Sequence, residues 1–247
     1  MTNHAALNNS MLDFLETMNC TVSVDDAWKT TVAFMRGLGA SHVTNNLDMK
    51  GSNLVYLNSS PPWVGEMYLE EVYPDHDPRL THCRTKTSPY FSGKGFWSQA
   101  RNLPVRRRKF EEEAVSVGIH SVVSIPVHLP LTKDRGYVGI ATDCCAAEFE
   151  KIYKNHLTMI HLGAIAAFNQ IRDLTREKQV ALIGLTERER ECLLWLARGL
   201  HNDRIAQRMK IRPVTVEFHM VNARRKLNAR TREQALVSAI QLGVVEP

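Results

Sequence analysis

Side chains in arrangements suited to catalysis or metal binding are scarce in this chain. The ten histidines are scattered, and no nucleophile, base and orienting residue stand at a workable spacing. The five cysteines include the adjacent Cys144 and Cys145 but show no C-x-x-C pattern of a zinc or thiol-exchange site. Gly93 and Gly95 lack the flanking strand and the remaining glycines of a phosphate-binding loop. We therefore expect no enzyme, metal site or cofactor, and we expect reduced cysteines.

One segment combines charges of both signs. Residues 106–109 are four cations, and residues 111–113 are three glutamates that follow Phe110. The simplest interpretation is a set of intrahelical ion pairs on a solvated helix face. We expect no chemistry from this segment.

The net positive charge lies toward the end of the chain. Residues 173–247 contain fourteen lysines and arginines against nine acids, whereas residues 1–172 contain seventeen of each. A DNA-binding part needs cations to neutralise phosphates, and a small-molecule sensor does not. The split favours a neutral sensor joined to a basic nucleic-acid reader, although a merely soluble basic domain would also show it.

Four short helices are predicted to position these cations. Thr186 and Glu189 have the spacing of a capping box at the start of the first helix. A second helix begins near residue 202, and Pro213 is favoured at the first position of a third. The fourth begins at Thr231. The third helix combines polar side chains near its start with cations around it, as a helix in the major groove requires.

Spaced residues in this basic part resemble the LuxR-type helix-turn-helix over residues 185–243. The matching positions are residues 185–193, Ala197, Gly199, Ile205, Ala206, Thr215, Val216, His219, Lys226, Leu227, Gly243 and Val244. One departure is Arg212, where the family usually has a capping serine.

The resemblance implies that the third helix reads DNA as part of a homodimer. The implied base-facing residues are Glu217, Phe218 and Val221, of which Glu217 can accept from a cytosine amino group and Val221 can touch a thymine methyl group. Phosphate contacts are expected from Arg212, Thr215, His219, Arg225 and Lys226. The implied target is a near-palindromic double-stranded site with half-sites about one helical turn apart. For any one of these residues, the alternative is that it only solubilises the helix.

The order of aromatic and acidic residues upstream resembles the acyl-homoserine-lactone-binding domain of the same family. The resemblance covers most of residues 10–172 and includes Trp63, Tyr68, Asp77, Trp97 and the run 118–126. It implies that Asp77 accepts the ligand amide proton and that Tyr68 donates to the acyl carbonyl. Trp63 and Trp97 would line the pocket, and Thr142 would add a hydroxyl group.

Three positions of this signature depart from the family pattern. Trp63 is one residue out of register, so Val64 stands in the matching place, and such a slip rotates a side chain by about 100° on a helix. The next family tryptophan corresponds to Ser92 or, after an insertion, to Trp97, and Val122 replaces a glycine. We expect a pocket altered in shape, for an unusual acyl chain or a different small molecule. The alternative for both tryptophans is core packing.

The predicted fold class is α+β. An N-terminal α-β-α sensor domain with a small antiparallel sheet is expected in residues 1–172, a linker in 173–184 and a C-terminal four-helix helix-turn-helix domain in 185–247. Strands 121–129 and 136–142 are expected to form a hairpin, and the loop-rich stretch 73–104 is a candidate lid. A helix over 148–174, apolar on more than one side, is expected to pack on the sheet and on a second subunit.

Three classes of function remain. A ligand-gated DNA-binding regulator is favoured. A phosphorylation-gated regulator is disfavoured, because residues 1–172 show neither the β-α repeat nor the acidic cluster of a receiver. A ligand-independent orphan regulator, or a protein acting through protein contacts, stays open because two base-facing residues are apolar. No stretch approaches the roughly 20 apolar residues of a membrane helix, and no signal peptide is recognisable. We expect a cytoplasmic protein without membrane partners.

Overall fold

The computed structural model describes residues 2–49, 54–72, 77–97, 103–128 and 134–245, apart from the side chains of residues 2–9. The chain divides into two compact units, Met1–Arg172 and Asp173–Pro247. The segment predicted as a linker is helical up to Ile183.

A five-stranded antiparallel sheet forms the centre of the first unit. Its strands are β1 (His42–Asp48), β2 (Val55–Asn58), β3 (Tyr90–Ser92), β4 (Ser121–His128) and β5 (Arg135–Thr142). Their spatial order is β2-β1-β5-β4-β3, and every neighbouring pair is antiparallel. The predicted hairpin is confirmed as β4 and β5, which pair from Ser121 opposite Thr142 to His128 opposite Arg135.

Helices surround this sheet. They are α1 (Thr2–Asn19), α2 (Val24–Gly37), α3 (Pro62–Met67), α4 (Pro78–Thr85), α5 (Val105–Ala114), α6 (Ala146–Asn155) and α7 (Leu157–Ile183), with a π-helical turn, Tyr68–Val72, directly after α3. The α+β prediction is confirmed. The prediction of one helix over 148–174 is wrong, because His156 leaves the helical conformation (φ −116°, ψ 16°) and separates α6 from α7.

The predicted lid contains regular structure. Its described part holds α4, β3 and a short 3-10 turn, Lys94–Phe96, while residues 73–76 and 98–102 lie outside the described residues. It is therefore not one long loop.

The two faces of the sheet differ in polarity. Successive side chains of a strand point to opposite faces, so Val43 and Ile140 share one face, while Thr44 and its partner Gly139 share the other. Helix α7 packs on the apolar face, because a Cβ built on Gly136 of β5 would lie 3.0 Å from the ring of Phe168. The polar face is covered by α3, α4 and α5.

Beyond the end of α7, the described residues of the second unit form four helices, as predicted. They are α8 (Glu187–Ala197), α9 (Asn202–Met209), α10 (Pro213–Lys226) and α11 (Arg232–Gln241). The capping box is present, with Thr186 and Glu189 each bonding the other's backbone N–H. Lys210 takes a left-handed conformation (φ 55°) that ends α9 and starts the turn into α10. These helices enclose a core that includes Leu193, Ile205, Val216, Met220 and Ala223.

Candidate functional site

A cavity lies between the polar face of the sheet and the helices that cover it. It is lined by His42, Thr44, Tyr56, Asn58, Ser60, Val64, Arg79, Gly93, Arg107, Phe110, Glu111, Ala114, Ile119, Val122, Gly139 and Ala141. The space is narrow, with about 30 Å³ available to the centre of a water molecule. A ligand with an acyl chain therefore requires the lining side chains to move.

A buried ion pair stands behind one wall of this cavity. Asp77 caps the start of α4, and its carboxylate accepts hydrogen bonds from the backbone N–H and the Nε of Arg79, at 3.0 Å and 3.1 Å from Oδ1. The Nη2 of Arg79 lies 2.9 Å from Oδ2. Burial opposes ionisation of Asp77, but the guanidinium groups of Arg79 and Arg107 outweigh it and lower the pKa of Asp77 to about 2. Asp77 is therefore a buried carboxylate in its charged form.

Two tyrosines contact the ion pair of Asp77 and Arg79. The hydroxyl of Tyr68 donates to Oδ2 of Asp77 at 2.7 Å and lies 3.1 Å from the hydroxyl of Tyr137. The guanidinium carbon of Arg79 lies 5.2 Å from each of the two ring centroids, within cation-π range. Burial raises the pKa of Tyr137 to about 12. Both phenols are therefore neutral at physiological pH.

A second buried ion pair belongs to α5. The Nε of Arg107 donates to Oε1 of Glu111 at 2.8 Å, and the two side chains are 2% and 4% exposed. The indole N–H of Trp97 donates to Oε2 of the same glutamate at 2.6 Å. Nη1 of Arg107 lies 3.8 Å from Oδ1 of Asp77 and has no hydrogen-bond partner among the described residues.

The prediction of a purely solvated charge segment is therefore wrong at two positions. Lys109 and Glu113 do form an exposed ion pair, as expected. Arg107 and Glu111 instead fall on the buried side of α5 with Phe110. Arg107 lies three residues before Phe110 and four residues before Glu111, and these spacings, which put side chains on one side of a helix, are the available sequence signal.

The five predicted ligand-binding residues have different positions, and none of them lines the cavity. Tyr68, Asp77 and Trp97 each contact a lining residue, as described above. Trp63 is 38% exposed and does not line the cavity, whereas its neighbour Val64 is buried and does. The physical reason is the one-residue shift along the helix.

Thr142 also departs from its predicted position. Ala141 and Gly139 of β5 line the cavity, so strand alternation points Thr142 to the opposite face of the sheet. Thr142 therefore does not line this cavity.

Strand β1 supplies polar cavity residues that sequence reasoning missed. Nε2 of His42 lies 2.7 Å from the carbonyl oxygen of Val117, so this nitrogen donates. Nδ1 of His42 and Oγ1 of Thr44 are buried and have no hydrogen-bond partner within the described parts of the chain. The available signal was their alternate spacing in a strand with Val43 between them.

In the second unit, α10 presents an apolar surface to solvent. Phe218 is 63% exposed, Val221 43% and Val214 66%. The predicted base-facing residue Glu217 accepts a hydrogen bond from Nδ2 of Asn202 at 2.8 Å. The exposed side of α10 therefore combines one acidic side chain with three apolar ones.

The predicted phosphate-binding residues fall into two groups. Arg212 and Arg225 are exposed, and Thr215 and His219 are half-buried. Lys226 makes contacts within the second unit. Its Nζ lies 2.8 Å from Oε2 of Glu189 and donates to the backbone carbonyl of Gly184 at 2.9 Å. The expectation that Lys226 binds phosphate stays a prediction, for a lysine that already has two partners within the protein.

A cleft at the end of α10 places two cations that the sequence reasoning did not select, Arg224 and Arg230, beside the predicted Arg225. It is lined by Arg224, Arg225, Asn228, Ala229, Arg230 and Gln234. Over the described residues, no cluster of histidine, cysteine and acidic side chains is arranged to hold a metal ion. In the same part of the chain, no helix is long and apolar enough to span a membrane.

Comparisons with known proteins match each unit separately. The family model described as an autoinducer binding domain matches residues 23–171, and that described as bacterial regulatory proteins, luxR family, matches residues 184–239. The putative HTH-type transcriptional regulator y4qH of Sinorhizobium fredii is 30% identical over 192 residues, which cover 77% of this chain and 56% of that protein. This chain thus matches little more than half of y4qH.

A further relative and a solved structure match this chain over a larger share of their own length. The transcriptional activator protein AnoR of Acinetobacter nosocomialis is 27% identical over 193 residues, covering 77% of this chain and 78% of AnoR. The crystal structure of Escherichia coli SdiA matches with a TM-score of 0.67 at 16% identity, covering 99% of each chain. At this identity the likeness to SdiA supports the fold.

Proposed function

Because the chain belongs to the LuxR family of bacterial regulatory proteins, we propose that its first unit binds an acyl-homoserine lactone or a related small molecule in the cavity described above. The family consists of transcriptional regulators rather than enzymes, and the chain is a ligand-responsive, DNA-binding regulator of quorum-sensing type. The observation that carries the proposal is the cavity itself, whose walls combine apolar side chains with buried, charged hydrogen-bonding groups. Such a lining suits a ligand with an apolar chain and a polar head.

A thermal-denaturation series tests this proposal. Purified protein is melted with acyl-homoserine lactones of graded chain length, because a ligand that binds only the native state raises its stability by about 2.7 kcal/mol at a hundredfold excess over Kd. We expect a rise that depends on chain length. No rise with any lactone, in protein that still binds DNA, would instead favour a ligand-independent regulator.

A matched pair of glycine variants tests whether the ligand binds in the cavity. A Cβ on Gly139 would lie 2.4 Å from Oγ1 of Thr44, inside the lining, whereas one on Gly37 has no atom within 4 Å. Gly139→Ala should therefore require at least ten times more ligand to reach the same rise in stability. Gly37→Ala should require the same ligand concentration as the unmodified protein. Equal responses in the two variants would place the ligand elsewhere.

The second unit is proposed to bind a near-palindromic DNA site through α10. Exposed Phe218 and Val221 would face the bases, while Arg212 and Arg225 would contact phosphates. Each phosphate contact steepens the salt dependence of binding. A gel-shift series at increasing salt on a two-half-site duplex should show a steep loss of affinity, and a shallow loss would contradict this mode of binding.

We further propose that the chain acts as a homodimer through α7. Leu157, Leu162 and Ile165 of this helix are 45%, 47% and 42% exposed, although Phe168 and Ile171 on its other side are fully buried. An exposed apolar stripe beside a buried one fits a helix that packs on a second copy. Leu162→Glu should shift sedimentation velocity toward the monomer, whereas Val22→Glu, at an isolated site that is 85% exposed, should not. An unchanged dimer in the Leu162 variant would exclude this surface.

A further inference from the structure

The middle of the exposed side of α10 carries no lysine or arginine. Val214, Phe218 and Val221 are 66%, 63% and 43% exposed, and their spacings of four and three residues place them on one side of the helix. Glu217, beside them, is acidic and accepts a hydrogen bond from Asn202. The electrostatic attraction that holds DNA to this surface therefore has to come from cations at the ends of the helix.

Exposed arginines stand at both ends of this side of α10. Arg212 directly precedes the helix, and Arg225 follows Val221 by four residues, so that it continues the same side. A rise of 1.5 Å per residue puts the two arginines about 20 Å apart along the helix axis. The major groove is about 12 Å wide. When the apolar middle of α10 faces the bases, the two arginines therefore reach the sugar-phosphate backbones on opposite sides of the groove.

Arg225 belongs to a cleft in which three cations converge without an acid. Arg224 and Arg230 line the cleft with it, and the lining contains no acidic side chain. Nη1 of Arg224 donates to the backbone carbonyl of Arg230 at 3.3 Å, and this neutral partner leaves the charge of the guanidinium in place. The next acid in the sequence, Glu233, is paired with Arg232 at 2.7 Å. The positive charge of the cleft is thus available to an anion from outside.

The donors around this cleft suit a phosphate group. Guanidinium groups bind phosphate oxygens through two parallel N–H bonds. Asn228 and Gln234 add side-chain amides to the lining. The amide oxygen of Gln234 accepts from the backbone N–H of Arg230 at 2.8 Å, so the two amide donors of Gln234 are not used in this bond. The cleft therefore combines fixed positive charge with neutral hydrogen-bond donors.

We propose that the cleft formed by Arg224, Arg225 and Arg230 binds a DNA phosphodiester on the strand opposite the one that Arg212 contacts. This inference rests on the proposed binding of DNA through α10. The two contacts span the major groove and fix the register of α10, while the apolar middle of the helix meets the bases. Affinity then comes mainly from the two ends of the helix, and sequence preference comes from its middle.

The test maps the phosphates that the protein contacts. A tightly bound duplex is first selected with the full chain from a pool of random double-stranded sequences. Each phosphate of this duplex is then replaced in turn by an uncharged methylphosphonate, and the affinity is measured by gel shift. Loss of a hydrogen bond to a charged group corresponds to about a tenfold loss of affinity. We expect two groups of sensitive phosphates in each half-site, one on each strand, facing each other across the major groove.

Variants then assign each group of phosphates to one end of α10. Arg230→Met should lose the sensitivity on one strand and keep it on the other, and Arg212→Met should show the reverse. Each variant should lower the salt slope of DNA binding by about one. Arg232→Met is the matched control, because this nearby arginine is paired with Glu233 and does not line the cleft. It should keep both groups of phosphates and the slope.

The other outcomes separate this inference from the proposed function. If both groups persist in Arg230→Met, or if Arg230→Met and Arg212→Met lose the same group, the assignment is overturned and DNA binding through α10 stands. Displacement of DNA by millimolar inorganic phosphate at constant ionic strength, without any change of the phosphate map in Arg230→Met, would assign the cleft to a free anion instead. If no duplex is bound, both proposals are overturned. If Arg230→Met does not fold, the map of Arg225→Met decides.

Discussion

Neutralising Asp77 should weaken folding at neutral pH and have a smaller effect in acid. The pKa of this carboxyl falls from its ordinary value of 3.8 to about 2 in the folded chain, where burial opposes ionisation and Arg79 and Arg107 favour it. A shift of this size corresponds to about 2.4 kcal/mol of stability at neutral pH, from about 1.36 kcal/mol per pKa unit. Because the folded-state pKa is lowered, this stability is present above the unfolded value and is lost as pH falls through the folded value.

The assay is urea denaturation of the full chain and of Asp77→Asn at pH 7, 5, 4 and 3, followed by tryptophan fluorescence. Three of the four tryptophans lie in the first unit. Since Asn resembles the protonated carboxyl, the gap in unfolding free energy should be about 2 kcal/mol at pH 7 and roughly half of that at pH 3. The exposed Asp25, whose side chain is 79% accessible, provides the control Asp25→Asn, with a gap near zero. A gap for Asp77→Asn that stays constant or widens in acid would refute the ion-pair argument.

Three further outcomes concern the second unit and its DNA contacts. Replacing thymine by uracil at contacted positions should weaken DNA binding about fourfold per buried methyl group. Phe218→Ala should abolish this sensitivity to the methyl group in a gel-shift comparison. If the variant keeps the sensitivity, Phe218 does not contact the bases. Arg225→Met should reduce the salt slope of DNA binding by about one, and an unchanged slope would show that it does not contact phosphate. Lys226→Met should leave the salt slope of DNA binding unchanged. It should lower the unfolding free energy of the second unit by about 1 kcal/mol or more, because the carboxylate of Glu189 loses its partner. A reduced slope would show that Lys226 does contact phosphate.

The second unit was predictable from sequence because its signals are local. Pro213 at a helix start, and the capping box at Thr186, specify helix boundaries through contacts within a few residues. The exposure of Phe218 also follows from helical periodicity, since Val216 and Met220 occupy the buried side. The role of Lys226 did not follow, because its partner Glu189 lies 37 residues earlier in the sequence.

The cavity was less predictable because its walls come from elements distant in sequence. Thr142 lies on the side of the sheet away from the cavity because one step along a strand reverses the direction of a side chain. Arg107 and Glu111 were assigned to solvent because charged residues are seldom fully buried without partners, and their partners Asp77 and Trp97 are not neighbours in sequence. The ion pair between Asp77 and Arg79 required side-chain positions that spacing alone does not provide.

The sheet order has a consequence for aggregation. The two outer strands, β2 and β3, are four and three residues long, whereas the inner strands have seven or eight. A short outer strand offers few unpaired N–H and C=O groups to the strand of another molecule. The central sheet thus gives little template for fibril-like stacking of chains.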